Sequence, residues 1–258
     1  MNKPIHLLQN YLKKNNFDIF LVPRTDEYLN EYVAPYAERL RWVSNFSGSA
    51  GIAAILQKKA AIFTDGRYKI QIKNEVNKKL FSIHDIKDFE NWIKKNVKKG
   101  YNLAIDPWLF SKRFIEKIKR LTVEKKINIK LLESNPIDAL WLKQPAKPTS
   151  KLFLHGLNYA GKSSVAKLNK VKSILKKQHC DYFVLTALDS IAWILNLRGS
   201  DIEYTPLNFS YLILSIKGKS GLYLNLKKIS PNILSSLSSN VNVFPYEDIK
   251  IYYNLIKK

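Results

Sequence analysis

Apolar positions change their spacing several times along the first 145 residues, and each change marks an element. Ile5, Leu8 and Leu12 recur at helical spacing and share one helix face; the continuous run Phe17 to Val22, stopped by Pro23, reads as a buried strand. The runs Ile52 to Leu56 and Ala60 to Phe63 flank Gln57-Lys58-Lys59, the pattern of two antiparallel strands joined by a tight turn. The spacing then predicts a helix from Arg67 to Val76, a strand near Leu80 to Ile86 and a helix near Phe89 to Val97. A strand at Asn102 to Ile105, a helix at Ser111 to Leu121 and a strand at Ile129 to Leu132 complete the series. A hairpin followed by alternating helices and strands gives a mixed sheet with helical cover.

Gln144-Pro-Ala-Lys-Pro-Thr-Ser150 combines two prolines with polar residues and reads as a linker. After it, Ser163 or Ser164 can cap a helix through about Lys177, Asp181 to Thr186 is a strand, and Leu188 to Leu197 is a short apolar helix. Phe209 to Ile216 and Leu222 to Leu226 form a second hairpin around Lys217-Gly-Lys-Ser-Gly221. Val241 to Phe244 is a strand, and a last helix runs from Glu247 to the end. The organisation expected is a domain over 1–145, a linker over 146–152 and a second domain over 153–258.

The two halves share a pattern. Trp42-Val-Ser-Asn45-Phe-Ser-Gly48-Ser49 and Trp193-Ile-Leu-Asn196-Leu-Arg-Gly199-Ser200 both read W-x-x-N-x-x-G-S, each after a helix and an apolar strand and each before a hairpin. The matching order of elements argues for an internal duplication. The fold class is therefore α/β: two tandem similar domains, each a mixed β-sheet flanked by helices.

Composition narrows the function. An apolar fraction of 46% supplies material for real cores, and one cysteine, Cys180, excludes a disulfide framework and any Cys-x-x-Cys zinc site, which fits a cytoplasmic location. No window approaches the roughly 20 apolar residues of a membrane span, and the N-terminus lacks a signal-peptide core. The formal charge of +22 invites a nucleic-acid reading, but the lysines are spread along the chain in pairs such as Lys13-Lys14, Lys94-Lys95 and Lys176-Lys177. That distribution argues for a solvated basic surface rather than a nucleic-acid partner.

Gly156-Leu-Asn-Tyr-Ala-Gly161-Lys162-Ser163 satisfies the phosphate-loop pattern G-x-x-x-x-G-K-[ST]. Against it stand the short stretch after the linker, the few residues that follow, and hairpin signals where parallel crossovers are needed. His6, His84, His155 and His179 are dispersed, so no metal-ligand spacing arises locally. Cys180, beside His179, lacks a third orienting group for nucleophilic chemistry and reads as a small buried hydrophobe. Two polar segments exceed what packing requires. In Thr64-Asp65-Gly66-Arg67-Tyr68, Asp65 can cap a helix while Arg67 projects at its start; in Arg198-Gly-Ser-Asp201-Ile-Glu203-Tyr204, the charged groups can pair with each other or face a partner.

Together, Asn30-Glu-Tyr-Val-Ala-Pro35, Arg41 to Gly51, Phe63-Thr-Asp-Gly-Arg-Tyr68, Ile105-Asp-Pro-Trp108, Leu157 to Ser164 and Leu185 to Glu203 resemble the N-terminal half of Xaa-Pro aminopeptidases, in the creatinase and prolidase superfamily. The resemblance implies two creatinase N-terminal domains, ribonuclease H-like, with the phosphate-loop match a mere linker-to-helix segment. In that family a third domain of pita-bread fold cleaves before proline with two manganese ions (Mn2+); the resemblance places no pita-bread domain, metal ligand or catalytic residue in this chain. It implies no cofactor here, inactivity alone, and a C-terminal catalytic domain as partner, with homo-oligomer contacts possible. Arg67 is the first candidate for a residue facing the substrate channel or that domain, followed by Asp201 and Glu203. Two other classes stay open: a free-standing binding or regulatory protein on the same scaffold, and a basic nucleic-acid binder.

Overall fold

A computed structural model describes residues 3–237 and 239–250. The chain divides into two compact units, Met1–Ala146 and Lys147–Lys258. The first unit runs α1 (Pro4–Lys14), β1 (Ile19–Pro23), α2 (Arg39–Ser44), β2 (Ile52–Leu56), β3 (Ala60–Thr64), α3 (Gln71–Glu75), β4 (Ser82–Asp85), α4 (Phe89–Asn96), β5 (Asn102–Ile105), α5 (Lys112–Leu121), β6 (Asn128–Leu131) and α6 (Pro136–Leu140). The second runs β7 (Phe153–Leu154), α7 (Leu157–Ala160), α8 (Ser164–Lys177), β8 (Tyr182–Leu185), α9 (Leu188–Leu195), β9 (Leu197–Arg198), β10 (Ser210–Ser215), β11 (Ser220–Leu224), α10 (Pro231–Leu237) and β12 (Val241–Pro245).

In the first unit the sheet order is β4-β3-β2-β1-β5-β6. Strands β1, β2 and β3 are antiparallel to their neighbours in that hairpin series, whereas β4, β5 and β6 join in parallel. Every residue of β1, β2 and β3 is buried, because helices cover both faces. One face packs Phe20, Ile55 and Ile62 against Ile5, Leu8 and Leu12 of α1; the other packs Leu21, Phe63 and Leu103 against Phe89 and Ile93 of α4 and Ile118 of α5. The helix starts follow ordinary capping chemistry: Pro4 opens α1, and the Ser111 hydroxyl accepts the Phe114 N–H at the head of α5. Two ion pairs brace this unit: Arg24–Glu38 at 2.8 Å joins the end of β1 to the start of α2, and the bidentate Arg39–Asp138 pair at 2.7 and 2.8 Å ties α2 to α6.

The second unit repeats this plan in a four-stranded sheet, β12-β11-β10-β8, with β8–β10 and β10–β11 antiparallel and β11–β12 parallel. One core joins Leu168 and Leu175 of α8, Ile191 and Leu195 of α9, and Leu212 and Leu222 of the sheet. The W-x-x-N-x-x-G-S segments do the same backbone work in both units. Asn45 (φ 69°) and Asn196 (φ 51°) are left-handed residues that end α2 and α9, a conformation asparagine tolerates better than most side chains. At Gly48 a Cβ would lie 2.3 Å from Phe46 Cζ, and at Gly199 one would lie 2.9 Å from Asn208 Cβ, so both glycines allow close approach.

Several expectations are corrected. The stretch Arg67 to Val76 is not one helix: Asp65 accepts the Arg67 N–H and closes a 3-10 turn over Gly66–Tyr68, α3 begins at Gln71, and Ile70 between them is exposed. The helix from Leu188 stops at Leu195 because Asn196 reverses the backbone into β9. Cys180 is exposed rather than buried, since its N–H closes the end of α8 on the Leu175 carbonyl and the turn leaves the thiol outside. The short helices α6 and α10 carried no periodic signal long enough to read. Of the last helix, Tyr246–Asp248 is a 3-10 turn and residues 251–258 lie outside the described residues.

Candidate functional site

Three segments distant in sequence meet around Arg67. The end of β3 delivers Asp65, whose carboxylate accepts the Arg67 backbone N–H at 3.0 Å and receives the guanidinium through Nε at 3.1 Å and Nη2 at 2.8 Å. These bonds raise the pKa of Arg67 and hold the Asp65 carboxyl below the usual range. The guanidinium is fixed in direction yet exposed, with Nη1 3.8 Å from Glu31 and its centre 5.3 Å from the Tyr68 ring. Tyr68 in turn packs edge-on against Phe46, and its hydroxyl shares a 2.8 Å hydrogen bond with Ser49, which also donates to Glu31. Glu31, Ser49 and Asp65 to Tyr68 therefore build one polar surface at the sheet end, with the buried Phe46 beneath the Tyr68 ring. A guanidinium tied on one side to a carboxylate suits the capture of a carbonyl or carboxylate group arriving from solvent.

Asp201 has a different environment. Its carboxylate is buried and accepts hydrogen bonds from the Lys228 ammonium, the Phe209 N–H at 2.6 Å and the Ser150 hydroxyl at 2.7 Å. Burial draws the Lys228 pKa down while the Asp201 hydrogen bond and charge oppose it. Glu203 lies two residues on, exposed, in the turn before Pro206. Asp201 and Glu203 thus do not converge on one point, and Asp201 is already occupied by internal partners. The partner Lys228 was missed in the sequence because it lies 27 residues away and no local pattern marks it. For the same reason nothing announced the Glu75 carboxylate, which accepts from Ser47 N–H and Oγ and from Gln71.

The phosphate-loop pattern adopts another geometry. Gly156 to Ser163 contains the helical turn α7, the two-residue β7 pairs antiparallel with β9, and the Ser163 hydroxyl caps α8 by accepting the Ala166 N–H. The hydroxyl that would meet magnesium is engaged in capping. Among the described residues no group of three or more His, Cys, Asp or Glu could hold a metal ion, so the described donor set does not fit the two Mn2+ of the resemblance. Nor is any described helix long and apolar enough to cross a membrane.

The architecture defines a class: a tandem pair of mixed-sheet α/β domains, the first carrying an exposed, carboxylate-bound arginine at its sheet end. Family models agree on both halves. Creatinase/Prolidase N-terminal domain models match residues 4–137 and 143–258, and the chain belongs to this family. It is homologous to Xaa-Pro aminopeptidase P proteins: it is 32% identical over 247 residues to a probable Xaa-Pro aminopeptidase P of Talaromyces marneffei, covering 94% of this chain and 37% of that protein. To a probable Xaa-Pro aminopeptidase P of Podospora anserina it is 35% identical over 249 residues, covering 93% and 36%. The crystal structure of X-prolyl aminopeptidase from Caenorhabditis elegans, described as a cytosolic enzyme with a di-nuclear active site, superposes with a TM-score of 0.88 at 26% identity, over 93% of this chain and 40% of that one. The chain thus spans well under half the length of these relatives and corresponds to their creatinase/prolidase N-terminal region.

Proposed function

We propose that this chain is the part of a Xaa-Pro aminopeptidase that shapes substrate access and carries domain or subunit contacts, acting in the cytoplasm and inactive alone. The observation that supports it is the match of nearly the whole chain to a minority of each relative's length, both halves as N-terminal domains. On this reading the two metal ions, Mn2+ by the resemblance, and the attack on the bond before proline belong to polypeptide outside these 258 residues. Arg67 faces the substrate channel or the catalytic domain, Glu203 offers a further surface contact, and the buried Asp201 shapes its loop from within. The domains are read as 1–145 and 153–258 about a linker at 146–152.

The test is release of the N-terminal residue from an Xaa-Pro peptide with manganese present. The pure chain gives no turnover; appreciable turnover would overturn the reading. In an enzyme reconstituted with the catalytic part, Arg67→Ala lowers kcat/KM by about tenfold or more, the loss of one charged hydrogen-bonding contact. Unchanged kinetics together with unchanged docking would remove Arg67 from the site.

A further inference from the structure

The duplication assigns each strand of the four-stranded sheet a counterpart in the first unit: β8, β10, β11 and β12 stand for β1, β2, β3 and β4. The approach to the first strand is repeated in detail. Asn16 (φ 55°) and His179 (φ 54°) are both left-handed; the next N–H closes the preceding helix, Phe17 on Leu12 and Cys180 on Leu175; and an aspartate, Asp18 or Asp181, then opens the strand.

The surroundings of the two strands differ. β1 lies inside its sheet with β5 parallel on its far side, and all five of its residues are buried. β8 is the last strand of its sheet among the described residues, with Phe183 45% and Val184 37% exposed although Tyr-Phe-Val-Leu is as apolar as a central strand. The Asp181 carbonyl accepts the Ile216 N–H from the β10 side, so the alternation of an antiparallel ladder turns the Val184 N–H and C=O away from β10. No lysine, proline or bulge blunts this edge.

The first unit also shows how the edge is filled. Asp18 grips the start of β5: its N–H donates to the Asn102 carbonyl at 2.9 Å, its carboxylate accepts the Asn102 N–H at 2.8 Å, and the Asn16 carbonyl accepts the Asn102 side chain at 2.9 Å. The Asp181 side chain is exposed and has no hydrogen-bond or ion-pair partner among the described residues. Sequence marks where the counterpart of β5 falls. Asp248-Ile-Lys-Ile-Tyr-Tyr-Asn-Leu-Ile-Lys-Lys258 matches Asp85-Ile-Lys-Asp-Phe-Glu-Asn-Trp-Ile-Lys-Lys95 at seven of eleven positions, and β5 begins seven residues after Lys95, at Asn102. Lys258 is the last of the 258 residues, so that strand is not among them.

We propose that the open edge of β8 is a docking edge for one parallel β-strand, the counterpart of β5, carried by polypeptide of the same enzyme outside these 258 residues, and that Asp181 holds the first residue of that strand. Backbone pairing supplies the attachment, and Phe183 and Val184 become covered as Phe20 and Leu21 are in β1. The inference rests on the reading that such further polypeptide exists, but its test involves no peptide cleavage, so the two fail separately.

The test extends the chain after Lys258 with a copy of its own Asn96 to Leu109, the segment that carries β5, and follows amide hydrogen exchange. A tethered strand acts at millimolar effective concentration, and exchange at Val184 slows by about tenfold or more relative to the unextended chain. The same tail with proline at both central strand positions gives no slowing, and Asp181→Ala in the extended chain removes most of it. Protection at Leu212 and Leu214 of β10 in every variant reports that the unit is folded. Unchanged exchange at Val184 in the folded, extended chain overturns the proposal. So does protection of Val184 in the unextended chain that rises with concentration alongside a dimer in sedimentation, which would make a second copy the occupant.

Discussion

Asp201 and Asp26 are both buried carboxylates, and they behave differently because of what surrounds them. Asp201 faces a buried ammonium, so Asp201→Ala leaves the Lys228 amine buried without its counter-charge inside the second unit. The expected loss is about 3–5 kcal/mol in urea unfolding, and Asp201→Ala combined with Lys228→Met recovers part of it, because no buried charge is then stranded. A double variant no more stable than the single one would show that the pair carries no such coupling. Asp26 makes no ion pair among the described residues, although the Arg24 charge acts on it; its carboxylate accepts the N–H groups of Tyr28 and Asn30 and the Asn30 side chain, while burial pushes its pKa up. Its folded pKa lies above its unfolded one, so its contribution to stability is full below the ordinary carboxylate range and is lost as pH rises through the folded value. The stability of the wild type minus that of Asp26→Asn therefore falls with rising pH across that window; a difference independent of pH would contradict the assignment. Neither environment could be read from the sequence, where both aspartates sit in ordinary polar loops.

Element boundaries show what local chemistry decides. Asn45 and Asn196 occupy the same step of the repeat and the same left-handed backbone, yet their side chains serve different ends. Asn45 donates to the Glu75 carbonyl at the surface, whereas Asn196 receives the buried Lys167 ammonium at 2.6 Å and donates to the Lys162 carbonyl at 2.9 Å. Glycine accepts the backbone conformation at both places. Asn196→Gly should therefore cost about 1–3 kcal/mol more than Asn45→Gly in chemical denaturation, since it removes one of the two acceptors of a buried lysine and leaves it only the Trp193 carbonyl; equal losses would mean that only backbone conformation matters there. The first hairpin, by contrast, was legible because apolar runs bounded by turn residues leave little choice at Gln57-Lys58-Lys59, whereas the strand expected over Leu222 to Leu226 lies at Ser220–Leu224. The split between Gly66–Tyr68 and α3 was not, because the apolar spacing of Tyr68, Ile72 and Val76 is that of one helix and only the Asp65 cap breaks it.

For the whole molecule, the sequence by itself determined the duplicated α/β plan, the capping and turn residues, and the family, because periodicity, turn chemistry and short motifs are local properties that survive without contacts. Tertiary structure alone decided which of those residues act together. It gathered Glu31, Ser49, Arg67 and Tyr68 onto one sheet end, took Asp201 into the interior against Lys228, and left β8 at the edge of its sheet among the described residues while its counterpart β1 is central. Each of those outcomes depends on residues tens of positions apart being brought within a hydrogen bond's reach, a distance that spacing along the chain does not encode.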